Sequence, residues 1–280
     1  MSPDKVAQLA QAAMLIELSS DPKPGNVDRC HDFSDIDFHQ FVISAVSAYP
    51  IFRAAACGQS SFGKLLLEGV KSWQDWNINS NTHFGSLTLM IPLAMAACVP
   101  GDLRRNLSEV LRGTTADDAA DFYEAFALAG ARVVDVKDFS LKDSNAVKTL
   151  RKQGKTLLDL MHLSKDHDLI ASEWSSDYER SFRLADMLLE MVPMLGINMS
   201  VVRIYLTALA EKPDSLVQAK FGMSKAVEVS SSAKQALEDS TLEGAKKLDT
   251  KLLAEDVNPG SSADLIASAL FISLLKGLRF

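Results

Sequence analysis

The segment Val6-Ala-Gln-Leu-Ala-Gln-Ala-Ala-Met-Leu-Ile-Glu-Leu18 sets the pattern that recurs along this chain of 280 residues. Its apolar positions 6, 9, 10, 13, 14 and 16 follow the spacing of one helical face and not the alternation of a strand. Gly, Pro, Asn or Asp separates most of the further segments that show this spacing. The pattern predicts an all-α protein, folded as a compact multi-helix single domain.

The predicted helices cover most of the chain. Beyond the first segment we expect them at about 36–57, 62–76, 83–98, 103–112, 116–131, 143–164, 177–196, 199–211, 223–239, 242–254 and 262–278. The stretch with some β character lies near 132–142, where we expect an extended connection between two helical halves. No repeat of fixed period occurs, which favours a compact domain over a solenoid.

Composition narrows the setting of the protein. A net charge of -7 and a pI near 5.3 argue against sequence-independent binding of nucleic acid, which requires a basic face. The three cysteines show no CxxC spacing, so neither a disulfide framework nor a structural zinc site is predicted. The longest apolar run, Leu87 to Val99, is interrupted by Pro92 and is too short to span a bilayer. We therefore expect a cytoplasmic protein that binds neither membrane nor nucleic acid; the pattern carries no prediction of oligomeric state.

Three polar, turn-forming loops interrupt the helical pattern. We name Asp21–Arg29 the first loop, Asn79–Gly85 the second loop and Asn258–Asp264 the third loop. Each carries Gly or Pro where the backbone turns, beside side chains suited to binding anions or metal. Loops this rich in functional groups predict convergence on one ligand.

Two other motifs are weaker. Gly58-Gln-Ser-Ser-Phe-Gly-Lys64 fits the start of a phosphate-binding P-loop, but Leu65 stands where a Ser or Thr must reach magnesium. A helix–helix turn is the favoured interpretation. The doublets His31-Asp32 and His167-Asp168 suggest a helical metal phosphohydrolase, but the other histidines show no ordered arrangement around them. We interpret His167 as a solvated side chain.

The first loop gathers charged groups. Lys23 and Arg29 offer cations. Carboxylates follow at Asp28, Asp32, Asp35 and Asp37, and Glu17 adds another from the preceding helix. Hard oxygen ligands of this kind suit Mg²⁺ with a nucleotide phosphate. Capping of the next helix is the alternative for Asp35 and Asp37, whereas Asp28 lies too early in the sequence to cap that helix.

The second and third loops each precede a helix. Asn81 and Thr82 are good N-cap residues, and free N–H groups at the helix start can bind phosphate. His83 falls in that first turn, where a surface histidine is an equally good interpretation. In the third loop Ser261 or Ser262 is the expected cap, because Ser261-x-x-Asp264 resembles a capping box.

Taken together, the motifs resemble those of the triphosphoribosyl-dephospho-CoA synthase family. The resemblance rests on Pro22-Lys-Pro-Gly-x-Val-Asp-Arg29, Asn81-Thr-His-x-Gly85, Lys212-Pro-Asp-Ser215 ahead of Lys220-Phe-Gly222, and Asn258-Pro-Gly-x-Ser-Ala-Asp-Leu265 with Phe271. It implies an all-helical fold and transfer of the triphosphoribosyl group of ATP to a ribose hydroxyl of 3'-dephospho-CoA, with release of adenine. The product would be a prosthetic-group precursor.

The resemblance also implies roles for individual residues. Asp28 and Asp264 would lie near the reacting ribose or its magnesium, and Lys23 and His83 near the triphosphate. Catalysis would involve Asp28, Asp264 and His83, and the metal ligands would be Asp28, Asp32 and Glu17. The nucleotide pocket would include Lys23, Gly25, Arg29, Asn81, Thr82, Gly85, Lys220, Gly260 and Ser262, with Asp214 as a weaker candidate.

Other functions remain open at the level of the residues. Phe84 stands where the family usually has a lysine, and Asn77-Ile-Asn-Ser replaces a glycine-rich approach. A related nucleotide-dependent ribosyl transferase with a different acceptor in another cofactor pathway is therefore one alternative. A magnesium-dependent nucleotide hydrolase could use the same carboxylates with water as acceptor. A helical binding or scaffold protein is a third alternative.

Overall fold

The computed structural model describes residues 1–33, 36–133 and 146–280. Within these ranges the regular structure is helical, apart from an isolated β-bridge between Asp28 and His31. The predicted all-α class is confirmed. Of the predicted extended connection at 132–142, residues 134–142 lie outside the described residues, as does Asp35. No helix in the described part of the chain is both long and apolar enough to cross a membrane.

The chain forms two compact units. Unit 1 comprises Met1–Ala12, Ile43–Ala131 and, among the described residues, 146–179; unit 2 comprises Ala13–Val42, residues 132–133 and Arg180–Phe280. The helices α1 (Pro3–Ser19) and α2 (Phe38–Ser47) each contribute several residues to both units.

Unit 1 contains eight further described α-helices and one 3₁₀ turn. They are α3 (Tyr49–Ala56), α4 (Phe62–Lys71), the 3₁₀ turn Gln74–Trp76, α5 (Phe84–Ala97), α6 (Leu103–Arg112), α7 (Ala116–Ala129), α8 (Ala146–Gln153), α9 (Leu157–Ser164) and α10 (Leu169–Ser175). The α4 helix packs against α7, and the two backbones are so close at Gly63 that a Cβ there would lie 2.6 Å from the Asp118 Cα. This close approach, and not a phosphate, accounts for Gly63. The P-loop-like segment is a turn between α3 and α4, as predicted.

Unit 2 contains the rest of the helices. After α11 (Glu179–Leu195) come α12 (Ile197–Glu211), α13 (Ser215–Phe221), α14 (Met223–Leu237), α15 (Glu243–Ala254) and α16 (Gly260–Leu275). The α12 helix packs against α14 and α16, and α13 packs against α14 and α16. Most residues of α16 are buried, among them the apolar Leu265, Leu270 and Phe271. The third loop therefore leads into a helix that is fixed in the core of unit 2.

Several predicted boundaries were wrong for local reasons. The segment 36–57 divides into α2 and α3 because Pro50 lacks the N–H that a continuous helix requires. The segment 143–164 divides where Gly154 adopts a φ of +64° and Thr156 caps α9. Two short helices, α10 and α13, were not predicted; the side chains of Asp168 and Asp214 cap their first turns.

Candidate active site

The first loop is anchored by a buried ion pair. Lys23 Nζ lies 3.0 Å from Glu17 Oε1 and donates to the Val27 carbonyl at 3.2 Å, and the lysine is 0% exposed. Burial raises the pKa of the Glu17 carboxyl, and the Lys23 charge opposes that rise. The pair thus fixes the loop to the end of α1. Lys23 and Glu17 neutralise one another in this structure. That Lys23 binds the triphosphate and Glu17 binds a metal therefore stays a prediction.

Asp28 is the carboxylate in this loop with an uncommitted atom. Its Oδ1 accepts the N–H groups of Cys30 at 2.8 Å and His31 at 3.1 Å, which closes a tight turn. The side chain is fully buried, yet Oδ2 has no hydrogen-bond partner among the described residues. A buried carboxylate oxygen without a partner is costly, so it marks a position where a ligand can bind.

A second carboxylate, from α15, meets the same loop. Asp249 Oδ1 accepts the Gly25 N–H at 2.9 Å, and Asp249 Oδ2 lies 3.5 Å from His31 Nδ1. His31 Nδ1 lies 3.3 Å from Asp28 Oδ1 on its other side. Burial raises the pKa of Asp249, while the Gly25 N–H and the His31 charge oppose the rise. We name Asp28, His31 and Asp249 the acid–histidine cluster.

The first and third loops are in direct contact. Asn26 Nδ2 donates to Asn258 Oδ1 at 3.1 Å and to the Tyr205 hydroxyl at 3.0 Å, and that hydroxyl donates to the Pro24 carbonyl at 2.9 Å. A Cβ on Gly25, whose φ is +75°, would lie 2.3 Å from the Val257 carbonyl oxygen. Glycine is therefore required at position 25 by the close approach of Val257, the residue that directly precedes the third loop.

The expected serine cap of the last helix was wrong. The α16 helix begins at Gly260, and no side chain caps it at Pro259. Ser262 instead donates its N–H and its hydroxyl to Asp214 Oδ2 at 2.7 and 2.8 Å. Asp214 Oδ1 accepts the N–H groups of Leu216 and Val217 and so caps α13. Asp214 joins the first turns of α13 and α16, and its oxygens are fully used.

The other predicted residues of unit 2 lie nearer the surface. Arg29 is exposed and lies 3.4 Å from Asp21 Oδ2, and Lys220 pairs with Asp256 at 2.8 Å. Asp32 is exposed and accepts the Phe38 N–H at 2.7 Å, which places it at the start of α2. Gly260 and the half-buried Asp264 lie in the first two turns of α16.

Asp37 has the capping role that was the alternative for it. Its Oδ1 accepts the Gln40 N–H at 2.9 Å, and the Gln40 side chain accepts the Asp37 N–H at 3.4 Å. This reciprocal pair stabilises the first turn of α2. Asp37 is therefore explained by local structure.

One group of potential metal ligands occurs among the described residues. Asp21, Asp28 and Cys30 each offer a ligand atom, and these atoms lie within 4.8 Å of one another. Burial and the neighbouring Asp21 and Asp28 carboxylates raise the pKa of the Cys30 thiol, which favours its protonated form. Asp21 and Asp28 offer the hard carboxylate oxygens that Mg²⁺ takes as ligands.

The second loop lies in unit 1 and forms a hydrogen-bond chain. The Thr82 hydroxyl donates to Ser44 Oγ at 2.8 Å, and Ser44 Oγ lies 2.9 Å from His83 Nδ1. The tautomer of His83 sets which of the two groups, the Ser44 hydroxyl or His83 Nδ1, donates in the second bond. His83 is 2% exposed, which excludes the surface-histidine interpretation.

The remaining predicted residues of this loop lie at the start of α5. Asn81 Oδ1 accepts the Phe84 N–H at 3.1 Å, so the asparagine supports the first turn of α5, which includes the half-buried Gly85. The nucleotide-binding roles of both residues stay predictions.

Sequence reasoning missed Asp249 and gave His31 too little weight. The signal for Asp249 is present in α15, where Ala245, Leu248 and Leu252 form the buried stripe on which this acid also lies. An acidic residue on the apolar face of a helix is an exception that calls for a partner. His31 carried no comparable signal, because its two partners come from a turn and from a distant helix.

Comparison with known proteins identifies the family. Residues 3–279 match the family described as ATP:dephospho-CoA triphosphoribosyl transferase. The chain is 24% identical over 298 residues to a Pseudomonas syringae pv. tomato protein named "Probable 2-(5''-triphosphoribosyl)-3'-dephosphocoenzyme-A synthase", covering 98% of this chain and 92% of that protein. A protein of the same name from Pseudomonas savastanoi pv. phaseolicola is 24% identical over 294 residues, with the same coverage.

A solved structure agrees with this family. The crystal structure of an Archaeoglobus fulgidus protein assigned as a triphosphoribosyl-dephospho-CoA synthase is similar with a TM-score of 0.72 and 30% identity, over 85% of this chain and 100% of that chain. The family match spans nearly the whole chain and includes all three loops. The chain therefore belongs to the ATP:dephospho-CoA triphosphoribosyl transferase family.

Proposed function

We propose that this protein transfers the triphosphoribosyl group of ATP to a ribose hydroxyl of 3'-dephospho-CoA, and that the acid–histidine cluster lies at the reacting ribose. The observation that carries the proposal is the family match over residues 3–279, together with a fully buried carboxylate, Asp28, one oxygen of which has no partner among the described residues. Neither the hydrolase nor the transferase with another acceptor is favoured by this match.

The reaction places definite demands on the site. The bond between the ribose anomeric carbon and adenine breaks, a bond forms from that carbon to the acceptor oxygen, the hydroxyl loses a proton and the adenine gains one. Positive charge develops on the sugar as adenine departs, and a nearby carboxylate stabilises it, as in glycoside hydrolysis. Asp28 is the carboxylate proposed for this role, because its Oδ2 is buried and, in the described part of the chain, has no hydrogen-bond partner.

The turn around Asp28 prepares the carboxylate for this role. The two N–H groups on Oδ1 hold the carboxylate in one orientation before substrate binds, so little reorganisation is needed in the transition state. The Lys23–Glu17 pair and the contact of Gly25 with the third loop keep that turn in place. The proposed site is thus built on the C-terminal end of α1, the middle of α15 and the start of α16.

Magnesium is part of this proposal. Asp21 would hold the ion, and Mg²⁺ would neutralise charge on the triphosphate, while Asp28 is proposed for the reacting ribose. Glu17 and Asp32, the other predicted ligands, are engaged with Lys23 and with the start of α2. Asp264 is kept as a second proposed carboxylate, and Asn81, Thr82, His83 and Gly85 as proposed nucleotide-binding residues.

Adenine release tests the proposal. The protein is incubated with ATP and magnesium, with and without 3'-dephospho-CoA, and the products are separated by chromatography and weighed by mass spectrometry. We expect adenine and a triphosphoribosyl adduct of dephospho-CoA only when the acceptor is present. Equal adenine or phosphate release in both samples would instead establish a hydrolase, and the absence of any product would overturn the transferase assignment.

A further inference from the structure

The imidazole of His31 lies between two acids. Nδ1 is 3.3 Å from Asp28 Oδ1 and 3.5 Å from Asp249 Oδ2. This nitrogen is buried, whereas the side chain as a whole is 38% exposed. The buried edge of the ring therefore faces the carboxylates, and the opposite edge, which carries Nε2, faces outward.

The charges around the ring fix its proton. A lone pair on Nδ1 would be repelled by two carboxylates at these distances, which favours a hydrogen on Nδ1. The outward Nε2 is then the ring atom available to a ligand. A carboxylate that orients a histidine in this way acts on the reaction through the ring.

Asp249 links this ring to the loop backbone. It is 3% exposed, and its Oδ1 accepts the Gly25 N–H at 2.9 Å while Oδ2 faces His31. Its position on α15 is fixed by the buried neighbours Leu248 and Leu252. One rigid side chain thus sets both the course of the first loop and the orientation of the imidazole.

The charges near His31 limit the kind of ligand group that its Nε2 can bind. Asp28 and Asp249 place acidic charge on one side of the ring, and Asp21 adds a carboxylate within 4.8 Å of that of Asp28. The exposed cation of the loop, Arg29, pairs with Asp21. A bare phosphate would be repelled here, whereas a neutral sugar hydroxyl would not. The chemistry therefore favours a ribose hydroxyl as the partner of Nε2.

We propose that His31 is a catalytic residue that contacts a ribose hydroxyl through Nε2, and that Asp249 is the residue that positions it. The identity of the ribose rests on the proposed function, because both ATP and dephospho-CoA carry one. The juxtaposition of His31 with Asp28 and Asp249 does not depend on that function.

Kinetics of three variants test the proposal. His31→Ala changes a half-exposed side chain, and Asp249→Asn keeps an oxygen for the Gly25 N–H while removing the charge beside the ring. We expect each to lower kcat at least tenfold with a smaller change in KM for ATP. The double variant should be no worse than His31→Ala, because Asp249 acts through the ring. Multiplying effects, or full activity of His31→Ala, would overturn the proposal.

A control and a spectroscopic readout separate this from a structural role. Glu243→Gln removes another acid of α15, exposed and paired with Lys246, and should leave kcat unchanged. Ring ¹H–¹⁵N correlation spectra of the substrate-free protein should show Nδ1 protonated on His31, with the signals shifted by Asp249→Asn and by added ATP or dephospho-CoA. Ring signals unmoved by both would overturn the proposal even if adenine transfer is observed. If adenine transfer fails, the same spectra still test whether Asp249 orients the His31 ring and whether the ring contacts a ligand.

Discussion

Two buried carboxylates in unit 2 have opposite environments. Asp214 and Asp28 are both 0% exposed. Asp214 accepts four hydrogen bonds, two on each oxygen, from the first turns of α13 and α16. Asp28 accepts two N–H bonds on Oδ1, and its Oδ2 has no partner among the described residues. Burial alone therefore does not distinguish the two acids; the hydrogen bonding of their second oxygens does.

Asp28→Asn should give the largest effect on activity. Asparagine can keep its Oδ1 on the N–H groups of Cys30 and His31, but it loses the charge that Oδ2 carries. We expect turnover to fall by about 10²–10⁴-fold, with little change in the thermal unfolding midpoint. Adenine release and differential scanning calorimetry measure the two quantities. A well-folded variant with near wild-type turnover would remove the contrast with Asp214.

Lys23→Met tests a third buried acid, Glu17, whose charge is neutralised by Lys23. The substitution leaves Glu17 buried without its cation, which should lower the free energy of unfolding by about 3–5 kcal/mol. Replacing both residues, Glu17→Gln with Lys23→Met, should recover much of the loss in urea unfolding. If the double variant is stable but no longer binds ATP, Lys23 has the triphosphate role that the sequence predicted.

The loss in Lys23→Met should also depend on pH. Burial holds the pKa of Glu17 above its ordinary value, and removal of Lys23 raises that pKa further. A carboxyl that binds its proton more tightly in the folded state destabilises the fold as pH rises through the folded pKa. The deficit relative to wild type should therefore be smallest near the unfolded pKa of about 4.3 and grow toward neutral pH. A deficit that shrinks with rising pH contradicts this.

Gly25→Ala tests whether the third loop fixes the turn that holds Asp28. A methyl group would lie 2.3 Å from the Val257 carbonyl oxygen, at a φ of +75°. We expect a cost of about 1–2 kcal/mol from the backbone conformation and about 1–3 kcal/mol from the overlap. Gly58→Ala is the matched control, since its φ is +63° and nothing lies within 4 Å of the added methyl. Equal destabilisation of the two would show that the loop contact is unimportant.

Asp214→Asn should have the smallest of these effects. It should lower the free energy of unfolding and not turnover. One oxygen still accepts from Leu216 and Val217, but an amide nitrogen replaces the acceptor of the Ser262 N–H. The expected loss is about 1–3 kcal/mol in urea unfolding, with turnover per folded molecule affected far less than in Asp28→Asn. A larger loss of turnover than in Asp28→Asn would reverse the comparison.

The sequence predicted much of the fold because helical periodicity and capping are local. The predicted 103–112 is α6, and 83–98 differs from α5 by one residue at each end. The predictions were wrong where a single residue interrupts a periodic pattern, as Pro50 and Gly154 do. They also missed α10 and α13, whose seven residues are too few to show periodicity.

The site was predicted less completely. The loops that carry Asp28 and Gly25 were recognised by their turn residues and by their order along the chain, which also indicated the family. The sequence did not reveal which polar groups satisfy one another. Ser262 is a good cap residue by type, yet it donates to Asp214, and Lys23 is a good phosphate ligand by type, yet it pairs with Glu17.

The sequence by itself determined the all-helical class, the three polar loops and the family resemblance, because these depend on residue type and spacing along the chain. Only the tertiary structure decided that Asp249, 221 positions after Asp28 by number, meets the same histidine. It also decided that both oxygens of Asp214 are paired while Asp28 Oδ2 finds no partner within residues 1–33, 36–133 and 146–280. Hydrogen bonding and desolvation depend on which side chains meet in space, and residue type alone does not specify those partners.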